Sequence, residues 1–194
     1  MGCDDSDGPG HAPRYLDVRS QTMIRIIQHT DADEIFKLVS DNRVYLRKWL
    51  PWLDHNTSVM DTKKFIDSAL AEFANNKSMV YVVIQGELIC GIVGLNWINW
   101  ANKSAGIGYW LAEQYGGTGI MTRACIELEA IGFQKMKLNK LEINVAEGNS
   151  KSNKLAQRLG YVNTGLIRDA EWLYDHYVNH LTYSKLVSEY KGAI

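Results

Sequence analysis

Three glycines and a threonine stand close together in the segment QYGGTGIM, residues 114–121, between an aromatic-rich run and a helical pattern. Glycine is used at this density where the backbone must take a positive φ or approach another group closely. A glycine turn that leads into a helix N-terminus presents bare N–H groups, and the helix dipole favours negative charge there. The segment therefore predicts an anion site, with phosphate as the usual ligand.

The residues around this turn do not fit two common phosphate-binding motifs. The lysine of a nucleoside-triphosphate loop is missing after Gly119. Gly106 and Gly108 form a GxG pair, but Leu111 stands where the dinucleotide fingerprint needs its third glycine. Taken alone, a glycine loop before a helix is a weak signal, and a turn that binds nothing is the alternative.

A second polar segment, EGNSKSNKLAQRLGY, follows some thirty residues later and predicts a short helix. Asn149 is suited to cap that helix, and Ser152 lies in its first turn, where serine is common for structural reasons alone. Glu171 stands in a predicted strand, where a solvated surface residue is the simplest interpretation. His176 and His180 would lie about 13 Å apart along one strand, so their spacing does not predict a metal site.

Together, the two segments resemble the Gcn5-related N-acetyltransferase (GNAT) family. Gln114-x-x-Gly117-x-Gly119 is similar to the Gln/Arg-x-x-Gly-x-Gly/Ala loop with which that family wraps the coenzyme A pyrophosphate. The family's second motif, an Asn, a Ser three residues later and a final Gly-aromatic pair, recurs in EGNSKSNKLAQRLGY. The resemblance covers roughly residues 23–187. The segments YLRKWLPWL, GYWLAEQYGGTGIMT and RDAEWLYDHY are most similar to the RimL branch, which includes ribosomal-protein-serine N-acetyltransferases.

The resemblance implies acetyl-CoA or coenzyme A as the bound substrate, and no metal. A splayed strand from Gly108 to Leu111 would offer backbone N–H groups to the pantetheine amides and to the thioester oxygen. The N–H groups of the glycine turn would bind the pyrophosphate. The implied cofactor-binding residues are Tyr109, Trp110, Leu111, Gln114, Gly116, Gly117, Thr118, Gly119, Ile120, Met121, Thr122, Asn149 and Ser152.

Two catalytic side chains are implied by the same resemblance. Ser152 would protonate the departing thiolate, and Glu171 lies where the RimL branch carries its proposed general base. Only a modest base is needed, because an N-terminal α-amine has a pKa of about 8. Binding both substrates together allows direct transfer, so Cys125 is interpreted as a buried structural thiol.

Two features leave the acceptor site open. Trp49, Pro51 and Trp52 could line an acceptor cleft or pack a loop onto the core, since aromatic side chains serve both purposes. The RimL branch often has an aspartate where Asn179 stands here, so an ionic role at that position is in doubt.

The composition is ordinary for one globular domain: 194 residues, 46% hydrophobic, 22% charged, and a net charge of −1. This charge argues against binding to nucleic acid or an anionic membrane. No apolar run approaches the roughly 20 residues of a membrane span, and no signal-peptide core is present. Cys3, Cys90 and Cys125 lack CxxC spacing, which predicts reduced thiols and a cytoplasmic protein.

Residues 1–22 are polar, broken by Gly and Pro, and without periodicity, which predicts a disordered tail or a cloning remnant. Gly2 and Ser6 formally fit the myristoylation pattern. Asp4, Asp5 and Asp7 oppose it, because an anionic membrane would repel them. The folded domain is therefore expected to be residues 23–194.

From Met23 onward the hydrophobic period alternates between strand and helix. The segments MIRII, MVYVVIQ, ELICGIVGLNWI, AGIGYWLAE and KLEINVAE predict strands, and the C-terminal region predicts two more. One of the helices, TKKFIDSALAEFANN, is expected to bury the side of Phe65, Ala69, Leu70 and Phe73. The expected fold is a single α/β (α+β) domain of GNAT type. It has a mixed sheet of about seven strands, splayed between the fourth and fifth, and about four helices.

These observations predict an acetyl-CoA-dependent N-acetyltransferase whose acceptor is the N-terminal α-amine of a protein, with ribosomal proteins first. A small-molecule amine such as a polyamine or antibiotic is the alternative within the class. An acyl-CoA-binding module without turnover is the alternative outside it, and a nicotinamide or flavin oxidoreductase is disfavoured by the failed fingerprint. No nucleic acid or membrane partner is expected, and a homodimer is left open.

Overall fold

One mixed sheet of seven strands, in the order β1-β2-β3-β4-β5-β7-β6, runs through the computed structural model, which describes residues 22–192. The strands are β1 (Thr22–Ile26), β2 (Met79–Gln85), β3 (Leu88–Asn99), β4 (Ser104–Leu111), β5 (Lys140–Ala146), β6 (Val162–Leu173) and β7 (His176–Leu186). The helices are α1 (Ala32–Asp41), α2 (Arg43–Leu46), α3 (Val59–Ala74), α4 (Ile120–Ala130) and α5 (Ser150–Arg158). The predicted fold is confirmed, with α2 as one extra turn in the aromatic segment before Pro51.

The sheet opens between β4 and β5, the one parallel pair of neighbouring strands in the described part of the chain. Pairing runs from Ser104 opposite Lys140 to Ile107 opposite Ile143 and then stops. Beyond that point β4 pairs with β3 alone, and β5 pairs with β7 alone. The predicted splay is therefore confirmed, and it starts at Gly108.

Two apolar layers cover the sheet. On the face covered by α4 and α5, the α4/α5 face, the largest buried side chains include Leu128, Leu141, Ile143 and Tyr183. On the opposite α1/α3 face, the buried side chains include Ile35, Val39, Ile66, Val82 and Ile92. The helices of the α1/α3 face pack mainly on β2 and β3.

The prediction of the buried side of α3 was partly wrong. Ala69 is buried as expected, but Phe65 is 42% exposed and Phe73 is 37% exposed. Thr62 and Ile66 are buried in their place. The helix carries apolar residues on more than one side, so its period fixes the helix but leaves its rotation about its axis to the packing against the sheet.

Two other predictions concern the N-terminal tail and membrane-spanning helices. The predicted tail lies outside the described residues except for Thr22, which is the first residue of β1 and pairs with Gln85. Within residues 22–192, no helix is both long and apolar enough to span a membrane.

Candidate functional site

A cavity of about 760 Å³ opens on the α1/α3 face of the sheet, where β4 and β5 separate. Strands β3, β4 and β5 form its floor, α1 and α3 form one wall, and the β6–β7 hairpin forms the opposite wall. Trp49, Pro51 and Trp52 line it from the segment before α3. The gap between β4 and β5 extends the cavity to Asn149 and Ser152 at the start of α5.

Three glycines keep the floor of the cavity low. Gly94 lies opposite Gly108, and Gly106 lies two residues away on the same face of β4. A Cβ on Gly106 would stand 2.2 Å from Trp97 Nε1, and one on Gly108 would stand 2.3 Å from Asn96 Nδ2. Both contacts are shorter than real Cβ atoms allow, so the side chains of Asn96 and Trp97 lie directly on glycine.

Ser152 makes a contact that the sequence did not predict. Tyr109 points to the α4/α5 face, because successive side chains of a strand alternate, and its hydroxyl lies 2.7 Å from Ser152 Oγ. Burial raises the pKa of Tyr109, and the hydrogen bond with Ser152 offsets only part of this effect. The phenol therefore stays protonated near neutral pH and can donate to Ser152. When it does so, the Ser152 hydroxyl hydrogen is free to bond another acceptor.

The start of α5 also has the local structure that the sequence predicted. Asn149 is the N-cap residue of α5, and its Oδ1 accepts a hydrogen bond of 3.2 Å from the Ser152 backbone N–H. This bond satisfies one of the N–H groups that a helix leaves unpaired at its start. Asn149 and Ser152 are thus placed together at the gap in the sheet.

The glycine turn has the backbone that its composition predicted. Gly117 and Gly119 both have φ of +79°, and Gly119 is the N-cap residue of α4. Thr118 Oγ1 donates to the Tyr115 carbonyl at 2.6 Å, which stabilises the turn. The first helical bond runs from Arg123 N to the Gly119 carbonyl at 3.1 Å. The N–H groups of the three residues before Arg123 therefore have no acceptor within the helix.

Two arginines beside this turn were missed by the sequence analysis. Arg123 donates from Nε to Thr22 Oγ1 at 2.9 Å and lies 3.4 Å from the Thr118 carbonyl. Arg158 donates to Thr122 Oγ1 at 3.3 Å. A cation in the first turn of a helix opposes the helix dipole, so Arg123 was a signal in the sequence that favours the predicted anion site.

The side chains of several predicted cofactor-binding residues pack in the two apolar layers. The ring of Trp110 lies 6.4 Å from that of Trp52 and packs in the α1/α3 layer. Leu111 packs against the α4/α5 core, and Ile120 and Met121 are buried within it. Ile120 and Met121 can therefore offer the turn only their backbone N–H groups, whereas Trp110 also lines the cavity.

Glu171 lies on the cavity wall in contact with a histidine. His180 Nε2 is 3.3 Å from Glu171 Oε2, and their side chains are 18% and 34% exposed. A register shift in β6 brings them together: Ile167 lies opposite His180, whereas Glu171 lies opposite Val178. His180 was considered only as a metal ligand in the sequence, where no local signal reveals this shift.

The β6–β7 hairpin is tied to the segment over the cavity. Tyr174 OH donates to the Leu50 carbonyl at 2.8 Å, and the Arg47 guanidinium lies 3.7 Å from the centre of the Tyr174 ring. Asn179 donates to Glu147 Oε2 at 3.3 Å and is not among the residues that line the cavity. Asn179 therefore connects β7 to the end of β5.

The described thiols are placed for packing. Cys90 and Cys125 are both fully buried, as predicted. Burial raises the pKa of Cys90 to about 11 and raises the pKa of Cys125 further, so neither is a thiolate near pH 7. Cys3 lies outside the described residues. Among residues 22–192, no three or more His, Cys, Asp and Glu side chains are grouped as a metal site would require.

Most of the chain matches the model of a known protein family. Residues 21–162 match the family model described as Acetyltransferase (GNAT) domain. The chain is 30% identical over 177 residues to YdaF of Bacillus subtilis (strain 168), which is provisionally named a ribosomal N-acetyltransferase; the match covers 90% of this chain and 96% of that protein. It is 25% identical to the ribosomal-protein-serine acetyltransferase of Escherichia coli (strain K12), over 89% of this chain and 96% of that protein.

Solved structures with the same architecture include two that carry cofactor. The microcin C7 self-immunity acetyltransferase MccE, in complex with acetyl-CoA and AMP, superposes with a TM-score of 0.82 at 27% identity, covering 90% of this chain and 97% of that one. RimL, a ribosomal L7/L12 α-N-protein acetyltransferase in complex with coenzyme A, superposes with a TM-score of 0.85 at 24% identity, covering 90% of this chain and 99% of that one. The second likeness bears on the fold alone.

Proposed function

Because the chain belongs to the Acetyltransferase (GNAT) domain family and is an acetyl-CoA-dependent N-acetyltransferase, we propose that its acceptor is the N-terminal α-amine of a protein. Ribosomal proteins are the leading class of acceptor. Two relatives that match about nine-tenths of the chain support this, since both are named for ribosomal substrates. Ribosomal proteins are made in the cytoplasm, which is therefore the proposed place of action.

The opening between β4 and β5 is the observation that carries the proposal. It joins a cavity on the α1/α3 face to Ser152 and the start of α5 on the other face. The glycine turn and the N-terminus of α4 follow directly from the end of the splayed strand. An acyl donor bound along the α4/α5 face and an amine in the cavity would meet in this opening, and direct transfer requires that arrangement.

The anion end of the donor site is assigned to backbone groups and two arginines. The turn around Gly117 and Gly119 leaves room for a close approach, since a Cβ on Gly117 would meet nothing within 4 Å. The unpaired N–H groups at the start of α4 and the guanidinium groups of Arg123 and Arg158 supply positive charge there. Together they fit the pyrophosphate of coenzyme A.

The transfer step needs one base and one acid. The amine nitrogen forms a bond to the acetyl carbonyl carbon as the carbon–sulfur bond breaks. Glu171 accepts the proton that leaves the amine, and Ser152 donates its hydroxyl proton to the thiolate. The Tyr109 hydroxyl, 2.7 Å from Ser152 Oγ, supports Ser152 as it does so. Backbone N–H groups after Gly108 stabilise the negative charge that develops on the carbonyl oxygen.

The charges of the cavity favour a protein acceptor over a phosphorylated small molecule. Asp61, Glu142 and Glu171 line it, and its described lining includes no lysine or arginine. A nucleotide such as the AMP in the MccE complex would bring a phosphate that finds carboxylates and no lysine or arginine in this lining. An uncharged or cationic small amine is the second candidate, because the rings of Trp49, Trp52 and Trp97 give it aromatic faces to contact.

Coenzyme A binding tests the donor site. Gly117→Asp adds a negative charge beside the proposed pyrophosphate position and should weaken coenzyme A binding about tenfold or more, measured by calorimetry. Gly86→Asp is the matched control, because Gly86 also has a positive φ of 64° and nothing within 4 Å, but lies in the β2–β3 turn. Equal affinity for Gly117→Asp, Gly86→Asp and the unsubstituted enzyme would contradict the assignment.

Acceptor identity is tested by turnover. Coenzyme A release should be measured with synthetic peptides that carry ribosomal-protein N-termini and with a polyamine as the small-amine comparison. Mass spectrometry should then find one acetyl group on the peptide α-amine. Acetylation of the polyamine alone would replace the proposed acceptor with the second candidate, and coenzyme A binding without turnover on any amine would indicate a binding module.

A further inference from the structure

Asn96 is the extra residue of a β-bulge in the cavity floor. Leu95 lies opposite Ile107 and Trp97 lies opposite Gly106, so Asn96 has no partner on β4. Side chains alternate between the faces of an uninterrupted strand, but a bulge puts two successive residues on one side. Asn96 and Trp97 consequently both line the cavity.

The Asn96 carboxamide lies across the α-carbon of Gly108, at the mouth of the opening between β4 and β5. The position that a Cβ of Gly108 would take is 2.3 Å from Asn96 Nδ2 and 2.5 Å from Oδ1. Any side chain at position 108 would displace the carboxamide. Gly108 is also the first residue of β4 after its pairing with β5 ends. Asn96 therefore stands where the two substrates are proposed to meet.

The carboxamide belongs to a residue that lines the cavity. The residue is exposed, and among the described residues its side chain makes no hydrogen bond. Two other asparagines of the lining are engaged: Asn56 Nδ2 donates to Thr62 Oγ1 at 3.0 Å, and Asn149 caps α5. Asn144 is the other exposed asparagine of the lining, on β5. A carboxamide offers a donor and an acceptor in one plane, which is the complement of a peptide group.

We propose that Asn96 binds the first peptide group of the acceptor and so selects protein N-termini over amines that lack a peptide bond. This inference rests on the proposed function, because it requires the acceptor to enter the cavity. The contact also positions the α-amine beside the opening, because the first residue of the acceptor carries both this amine and the carbonyl of the first peptide group. Small amines and polyamines gain nothing from the carboxamide.

A pair of acceptors that differ in one atom tests the contact. The first is a short peptide with a free N-terminus; the second is its ester analogue, in which oxygen replaces the N–H of the first peptide bond. The unsubstituted enzyme should use the peptide with kcat/KM about tenfold higher, the effect of one or two hydrogen bonds. Asn96→Ala should bring this ratio close to one, mainly by raising the KM for the peptide, with the KM for acetyl-CoA unchanged.

Two further variants make the result specific. Asn139→Ala removes an exposed asparagine outside the cavity lining and should leave the ratio unchanged. Asn144→Ala removes another exposed asparagine of the lining, on β5. An unchanged ratio in Asn96→Ala, or a ratio lost in Asn144→Ala instead, would overturn the assignment to Asn96.

The same assays separate this inference from the proposed function. If the enzyme acetylates both acceptors and Asn96→Ala keeps the ratio, only the role of Asn96 fails. If the enzyme acetylates neither the peptide nor the ester but uses a polyamine, the protein acceptor fails, and Asn96 loses its proposed ligand with it.

Discussion

Replacing Glu171 by Gln removes the proposed general base and changes the shape of the side chain very little. Glu171 lies on the cavity wall in β6, and the glycine turn, where the coenzyme A pyrophosphate is proposed to bind, is not part of the cavity lining. Coenzyme A affinity should therefore be unchanged. A glutamine amide cannot accept the proton of the acceptor amine, so the loss should fall on turnover.

The expected size of this loss follows from the surroundings of the carboxylate. Positioned general bases contribute about 10²- to 10⁴-fold. The Glu171 side chain is 34% exposed, so water already screens it and the low end of that range applies. Turnover near pH 7 should fall about 100-fold, which corresponds to about 2.7 kcal/mol of transition-state stabilisation. The loss should shrink above pH 8, where an α-amine with a pKa of about 8 is increasingly neutral without help.

His180 provides a second arm of the same experiment. His180→Phe removes the nitrogen that lies 3.3 Å from Glu171 Oε2 and should lower kcat about threefold to tenfold, whereas His180→Gln retains an amide nitrogen and should lose less. In the Glu171→Gln background, His180→Phe should cause no further loss of kcat, because the effects of residues that act as a unit are not additive.

The assay is a pH series of coenzyme A release, with one peptide acceptor at saturating acetyl-CoA so that binding effects are not mistaken for chemistry. Near-full turnover of Glu171→Gln at pH 7 would refute the reasoning and leave Glu171 as a surface residue. A loss that is the same at pH 7 and pH 9 would show that Glu171 acts on something other than amine deprotonation.

Two further predictions concern acid catalysis and stability. Ser152→Ala should reduce turnover at every pH tested, since thiolate protonation does not become easier as pH rises. Tyr109→Phe should reduce turnover in the same way, by a smaller factor. A Ser152→Ala defect that disappears at high pH would contradict the role of Ser152 as the acid. Asp31→Asn should lower the unfolding free energy by about 2 kcal/mol at pH 7, because Arg25 donates hydrogen bonds of 2.7 and 2.8 Å to the two Asp31 carboxylate oxygens. Thermal or urea unfolding measures this loss. Asp41→Asn is the control: Asp41 pairs with Lys37 on the exposed surface, so its replacement should change the unfolding free energy little. Burial raises the pKa of Asp31, but the hydrogen bonds from Arg25 and from the Gln28 N–H, with the charge of Arg25, outweigh burial, so the folded pKa lies below the unfolded one. The stability difference should fade as pH falls below the ordinary aspartate pKa and through the lower folded pKa, and a difference that persists at still lower pH would argue against the ion pair.

The sequence alone determined the features that depend on a few neighbouring residues. The glycine turn could be predicted because Gly117 and Gly119 take a positive φ that other residues resist. The cap at Asn149 could be predicted because a helix start leaves N–H groups that a nearby side chain satisfies. Hydrophobic period gave the seven strands and the four longer helices, since alternation and helical spacing are local properties.

Only the tertiary structure decided which side chains meet across the sheet. Tyr109 and Ser152 are 43 residues apart, and they touch because β4 and α5 lie on either side of one opening. Glu171 reaches His180 through a register shift in β6, and Asn96 enters the cavity through a bulge in β3. A shift of one residue in register moves a side chain to the other face of a sheet, and register is set by packing between distant segments. Local sequence carries no record of that packing, so the glycine turn was predictable and the partners of Ser152 and Glu171 were not.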